Sequence, residues 1–242
     1  MLNATMGRAR NDTDAQRAAG AQRRSELVFC SPLLLEHKDD PRLRAHYRVM
    51  MDLDSTWYPL LEAMATRPGG QRVRYQDCPT WESLADLVDG GVPRMLEMFD
   101  EVMSFEVMRN HPPLAGAREA AHTMKAHGME LHVMTQRHPR FADDTRRYLD
   151  HFGMPYDSLV CDMEHDKLAL CRQRGIAVVV DDHPDLLASA HDQGLDALSL
   201  HYPYNAAVIG ERRLAHAHSW TDLATHVAAA VARRVRAAVN DA

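Results

Sequence analysis

Short apolar runs alternate with longer amphipathic stretches along this chain. The runs Tyr47–Leu53, Glu130–Met134, Ser158–Cys161, Ile176–Val180 and Ala197–Leu200 have the length of buried strands. Between them, helical spacing of apolar residues recurs over about 116–127, 141–152, 166–174, 184–193 and 220–237, the last opening after Ser219 as N-cap. Gly128, Gly153, Gly175 and Gly194 each stand where a helix should stop before the next strand. Regular alternation of this kind predicts an α/β fold, a parallel sheet covered by helices on both faces.

One gap breaks the rhythm. From Trp57 to His111 no strand pattern occurs, only helix-like segments near 57–66, 80–89, 92–103 and 104–109, punctuated by Arg67-Pro68-Gly69-Gly70 and Gly90-Gly91-Val92-Pro93. An ordinary βα loop has about 2–6 residues, so 57–111 reads as a helical cap inserted after the first core strand. The core is then 46–56 plus 112–242, preceded by an extension over 25–45. Residues 1–24 carry five Arg and two Asp and no aromatic, Val or Ile, and a segment with so little to bury reads as a flexible tail.

Composition narrows the class. The chain has 242 residues with a formal charge of −6 and 45% hydrophobic residues, enough for one α/β domain with an insert. The acidic balance argues against a nucleic-acid polymer or an anionic membrane as partner. Arg23-Arg24 followed by Leu27–Leu35 has the look of an export signal, but Pro32 breaks the run and no small-residue cleavage site follows. No segment approaches the roughly 18 apolar residues of a membrane span. Cys30, Cys78, Cys161 and Cys171 show no metal or disulfide spacing, which fits reduced thiols and a cytoplasmic protein. The expected partner is a small molecule, with a homodimer left open.

Four chemical signals fall at the ends of expected strands, where open parallel sheets bind ligands. They are Asp52-Leu53-Asp54-Ser55-Thr56, Thr135, Lys167 and Asp181-Asp182. Carboxylates brought together repel one another unless a cation joins them, and a hard ion with oxygen ligands, Mg2+, is the expected answer. Asp52 is then the candidate nucleophile toward phosphorus and Asp54 the candidate acid/base. Lys167 and Thr135 would hold phosphoryl oxygens, and Asp181 with Asp182 would complete the metal shell. Any one of these residues has a plain structural explanation as a turn or a cap. Lys167 is harder to dismiss, because the chain contains 25 Arg and only three Lys.

The order D-x-D-x-T, hhhT, Lys, hhhDD resembles the haloacid dehalogenase-like (HAD) superfamily over residues 46–242, and the insert looks like its C1-type cap on a three-layer Rossmann-like core. More narrowly, the chain is similar to the 5'(3')-deoxyribonucleotidase branch through Pro113–Ala117, Tyr148–Gly153, Asp181–Asp185, Tyr202–Asn205 and His218–Trp220. The resemblance implies a Mg2+-dependent phosphatase with Asp52 as nucleophile, Asp54 as acid/base, and metal held by Asp52, the Asp54 carbonyl and Asp181. It implies a nucleoside monophosphate as substrate, with sugar phosphates or another small phosphate ester as the alternative. A relative that binds phosphorylated ligands without catalysis is the weaker reading, since no motif residue is missing.

Three stretches depart from that branch: Ser55-Thr56-Trp57 after the acidic pair, Gln136-Arg137 after Thr135, and Val107-Met108-Arg109 where an aromatic run is usual. Arg137 is therefore expected as an extra phosphate contact. Among Trp57, Tyr58, Tyr75, Trp81, Phe99 and Phe105, the first two are the expected substrate-facing residues, and Trp81 and Phe99 are expected to pack the cap. The fifteen histidines form no credible metal box; His216 and His218 share an H-x-H spacing but lie far from the other signals and are assigned to the surface. Receiver domains share the ingredients, but their acidic pair comes first along the chain, and dehalogenases lack the second acid that Asp54 provides.

Overall fold

The computed structural model describes residues 31–162, 164 and 166–241. The tail 1–24, the start of the 25–45 extension and Cys30 lie outside the described residues. Within them, α1 (Pro32–His37) is followed by β1 (Arg48–Met51), α2 (Leu60–Ala65), α3 (Gly91–Val102), α4 (Phe105–Met108) and α5 (Ala117–Ala126). Next come β2 (Glu130–Thr135), α6 (Ala142–His151), β3 (Ser158–Cys161), α7 (Lys167–Arg174), β4 (Val178–Val180) and α8 (Pro184–Asp192). The chain ends with β5 (Asp196–Leu200), α9 (Ala206–Arg212), β6 (Ala215–Ala217) and α10 (Trp220–Asn240). No helix among the described residues is long and apolar enough to cross a membrane.

All strand pairs are parallel and the order is β3-β2-β1-β4-β5-β6. Period-two alternation sends neighbouring side chains to opposite faces, so one strand feeds two cores. Val49, Met51, Val133, Val178 and Val180 join the cluster that includes Ala120, Met124, Leu223, Val227 and Val231 of α5 and α10. Met50, Met134 and Val179 point the other way, toward Leu168, Cys171, Leu187 and Ile209 of α7, α8 and α9. The fold is thus the α/β sandwich with a parallel sheet that the alternation predicts. In α10, Trp220, Leu223, Val227, Val231 and Val235 recur at helical spacing and are buried, and the Ser219 side chain accepts from the Asp222 N–H at its start.

The segment between β1 and α5 holds α2, α3, α4 and 3-10 turns at Tyr75–Asp77 and Glu82–Leu87. Its apolar residues Leu61, Met64, Val73, Met98 and Val102 belong to the same buried cluster as the sheet's α5/α10 face. Sheet order fixes where chemistry can happen. β1 leads to β2 on one side and pairs with β4 on the other, so the chain reverses direction across the sheet at the β1/β4 boundary, the place where open α/β sheets leave a crevice.

Candidate active site

Met51 of β1 lies opposite Val180 of β4, and the pairing runs one residue further through the Asp52 N–H donated to Val180 O at 2.9 Å. This register sets Asp52 beside Asp181. The loop that follows β1 is tight: the Trp57 and Tyr58 N–H groups donate to Leu53 O at 2.8 and 2.7 Å, and Ser55 N–H donates to Tyr58 O at 2.8 Å. Ser55 has φ +56°, a left-handed conformation that costs a non-glycine residue about 1 kcal/mol. Neighbours hold it there. Tyr202 Oη donates to Ser55 O at 2.7 Å, Tyr75 Oη to Ser55 Oγ at 3.3 Å, and Trp220 Nε1 to Thr56 O at 2.8 Å.

Carboxylate oxygens of Asp52, Asp181 and Asp182 lie within 4.8 Å of one another, and all three residues are buried. Lys167, the first residue of α7, reaches in behind its N-cap Asp166 and bridges two of them. Its Nζ donates to Asp52 Oδ1 at 2.5 Å and to Asp181 Oδ2 at 2.8 Å. Asp181 Oδ1 accepts from the His183 N–H at 2.8 Å, and Asp182 Oδ2 accepts from Tyr204 Oη at 2.7 Å. A cavity of about 250 Å³, lined by Gln136, Lys167, His183 and Asp185, opens beside this cluster.

Burial dominates the electrostatics. It pushes the Asp52 carboxyl up to about 7, with Lys167 opposing the rise and Asp181 and Asp54 adding to it. Burial and repulsion from Asp52 and Asp181 push Asp182 well up as well. Burial works against the Lys167 charge too, yet Asp181 and Asp52 hold its pKa above the ordinary 10.5. Ionising all three carboxylates against one ammonium would leave excess negative charge in a buried site, the condition a divalent cation relieves. The oxygen-only donor set suits Mg2+, with Asp52, Asp181 and Asp182 as the residues that would hold it.

The second carboxylate, Asp54, is taken up by Arg137. The guanidinium is fully buried and grips it at both oxygens, Nη2 to Oδ1 at 2.6 Å and Nε to Oδ2 at 2.9 Å. Its Nη1 points away toward Thr145 Oγ1 at 3.3 Å and Met108 Sδ at 3.1 Å, and its Cζ lies over the Tyr58 ring, 5.0 Å from the ring centre. Thr135, at the end of β2, directs Oγ1 to Asp54 Oδ2 at 3.4 Å.

Of the expected site residues, Asp52, Lys167, Asp181 and Asp182 come together, with Asp54 and Thr135 adjoining them. Arg137, Trp57 and Tyr58 depart from expectation. Arg137 is spent on Asp54 and has no exposed surface for a phosphate. Trp57 and Tyr58 are also wholly buried. The loop turns back on Leu53, so the residues after it point into the core, where Tyr58 Oη donates to Val102 O at 2.8 Å and Trp57 Nε1 has no partner among the described residues. Aromatics do line the region, but from other positions. Tyr75 stacks on Tyr202 at 4.5 Å, Tyr202 on Tyr204 at 5.2 Å, and Trp81 meets Tyr204 edge-on at 5.4 Å. Trp81 thus packs against the β5–α9 connection as well as within its own segment. The motif Tyr202-Pro203-Tyr204-Asn205 was the available signal for this wall; Asn205 Nδ2 also donates to Asp182 O at 3.1 Å.

No family model and no curated protein matches this chain. Among solved structures, it is similar to a predicted phosphoglycolate phosphatase from Haemophilus somnus 129PT, with 16% identity, 75% of this chain and 98% of that chain covered, and a TM-score of 0.53. It is also similar to a HAD-superfamily hydrolase, subfamily IA, variant 1, from Geobacter sulfurreducens PCA, with 14% identity, 74% and 95% coverage, and a TM-score of 0.47. The likeness to the Haemophilus structure, at 16% identity, is one of fold.

Proposed function

We propose that this chain is a Mg2+-dependent phosphomonoesterase that acts on a small phosphate ester through an aspartyl-phosphate at Asp52. The observation that carries the proposal is the buried Asp52 carboxylate held by Lys167 at 2.5 Å, within 4.8 Å of Asp181 and Asp182, at the sheet's switch point. In the first step an Asp52 oxygen attacks phosphorus and the ester oxygen leaves with a proton from Asp54. In the second, a water attacks the same phosphorus, gives its proton to Asp54, and frees Asp52 and inorganic phosphate. Lys167 offsets negative charge on Asp52 and on the transferring group, and Thr135 is placed to donate to a phosphoryl oxygen once it leaves Asp54. Arg137 holds Asp54 as a carboxylate, and the Asp54 carboxyl turns off the guanidinium when it carries the proton. Mg2+ supplies further charge neutralisation when bound. The 57–111 segment serves as the cap that covers the leaving group and excludes water.

As substrate, a (deoxy)nucleoside 5'-monophosphate, with the nucleoside as leaving group, is the first choice, as implied by the motif resemblance. The burial of Trp57 and Tyr58 removes two rings that would have stacked on a base, and that favours a second reading, a sugar phosphate or another small phosphorylated metabolite. The phosphatase named for the Haemophilus structure falls within that second class. Phosphate release from deoxynucleotides, ribonucleotides, sugar phosphates and phosphoglycolate, each with Mg2+ and with EDTA, decides between them. Fastest turnover of a nucleotide upholds the first reading, fastest turnover of a non-nucleotide upholds the second, and no Mg2+-dependent release from any of them overturns the proposal.

A further inference from the structure

Three histidines meet at the edge of the sheet, away from the acidic cluster. His216 and His218 are alternate residues on and just beyond β6, the edge strand, and His201 follows β5. The register sets Ser199 opposite His216, and the His201 N–H donated to Ala217 O at 2.8 Å carries the pairing past the end of β5. The two-residue period of a strand then brings all three imidazoles to one side. Their ring centres lie 4.8 Å (His201–His218), 5.5 Å (His201–His216) and 6.3 Å (His216–His218) apart. Three imidazoles on one ion, with metal–nitrogen bonds of about 2.1 Å, have ring centres about 5 Å apart.

Further details suit ligation. His216 Nδ1 lies 3.1 Å from Leu214 O, and since a carbonyl only accepts, Nδ1 carries the proton in this contact and Nε2 is the nitrogen left for a ligand. A backbone carbonyl in this role is the usual second partner of a metal-binding histidine. The imidazole nitrogens do not converge as the three carboxylates do, and the His216 and His218 rings stand at 88° to each other. Both are exposed, and the broad χ2 torsion of histidine lets them turn.

We propose that His201, His216 and His218 form a binding site for a borderline divalent transition metal, Zn2+ foremost and Cu2+ or Ni2+ by the same chemistry, separate from the acidic cluster. The all-nitrogen donor set distinguishes it from an oxygen site for Mg2+. The ion would tie the edge strand to β5 beside a cavity of about 300 Å³ lined by Glu62, Tyr75, Leu114, Tyr202 and Trp220.

The test uses the full chain without a polyhistidine tag, saturated with Mg2+. Calorimetric titration with Zn2+ should give one equivalent bound, and Cu2+ should give an electron paramagnetic resonance spectrum with nitrogen superhyperfine splitting. His216→Ala and His218→Ala should each weaken Zn2+ binding about tenfold or more, and the double variant should lose the nitrogen signature with its circular dichroism unchanged. Zn2+ affinity unaltered in the double variant, or a Cu2+ spectrum without nitrogen coupling in the parent chain, would overturn the site. So would a parent chain that binds no Zn2+.

Discussion

Replacing Arg137 by methionine removes the guanidinium that grips Asp54 and keeps an apolar stem among Met108, Tyr58 and Thr145. The wild-type pair makes two charge-assisted bonds, at 2.6 and 2.9 Å, and Arg137 has a side-chain exposure of 0% against 18% for Asp54. Breaking a buried ion pair from one side costs about 3–5 kcal/mol, because a charge is left without its partner. The two sides are unequal. Asp54 without Arg137 still reaches the open site, so Arg137→Met should cost about 3 kcal/mol, the low edge of that range. Asp54→Asn strands a fully enclosed cation with Thr145 Oγ1 and Met108 Sδ as its remaining neighbours. Asparagine keeps one carbonyl acceptor, which limits the cost to about 3–4 kcal/mol. Each figure includes the penalty of an orphaned charge, and the double variant has no orphan. Its cost should therefore fall short of the sum by about 2 kcal/mol or more. The assay is urea unfolding of the four proteins at pH 7.5, with midpoint and slope fitted separately. Additivity within about 0.5 kcal/mol would refute the ion pair as described.

Three further outcomes follow from the site. In EDTA, Lys167→Met leaves Asp52 and Asp181 facing each other without a cation and should destabilise the fold by about 3–5 kcal/mol by urea titration, with saturating Mg2+ recovering part of the loss; an unchanged midpoint in EDTA would count against the bridge. The folded pKa of Asp52 is raised from 3.8 to about 7, and that of Asp182 is raised too, so the metal-free fold retains protons that the unfolded chain has released, and stability falls as pH rises from about 4 to 7. Thermal scans in EDTA should give a lower midpoint at pH 7.5 than at pH 5, with Mg2+ raising the midpoint more at pH 7.5; a midpoint independent of pH in this window would contradict the raised carboxyls. Tyr204→Phe removes the donor to Asp182 and should weaken Mg2+ binding about tenfold, measured by the Mg2+ dependence of the thermal midpoint, and an unaltered dependence would remove Tyr204 from the site.

Five strands and the longer core helices were legible because their apolar periodicity is the same force that packs them: Val178–Val180 is apolar on both faces and buried on both faces. The edge strand β6 was not, since Ala215-His216-Ala217 is short and half exposed and carries no apolar run. Helix α9 is only seven residues long and follows a proline-tyrosine turn that masks its start. The acidic residues were legible as a set because each lies at the end of a strand or the start of the next helix, and strand order then brings them together. Arg137 was misjudged for an instructive reason. A cation two residues beyond Thr135 reads as a phosphate ligand, but just past the end of β2 its side chain is buried, with both carboxylate oxygens of Asp54 as its partners. Trp57 and Tyr58 failed similarly, since nothing in D-x-D-S-T announces that the loop doubles back on Leu53.

The central claim, an Asp52 nucleophile, is tested most directly by Asp52→Asn with phosphate release as the readout. Wild-type chain should release phosphate from a small ester in a Mg2+-dependent manner, and the variant should release none above background while keeping the circular dichroism spectrum of the parent. Mg2+-dependent turnover retained by the variant within about tenfold of wild type, less than the ~10²-fold that a single positioned catalytic group contributes, would contradict the account.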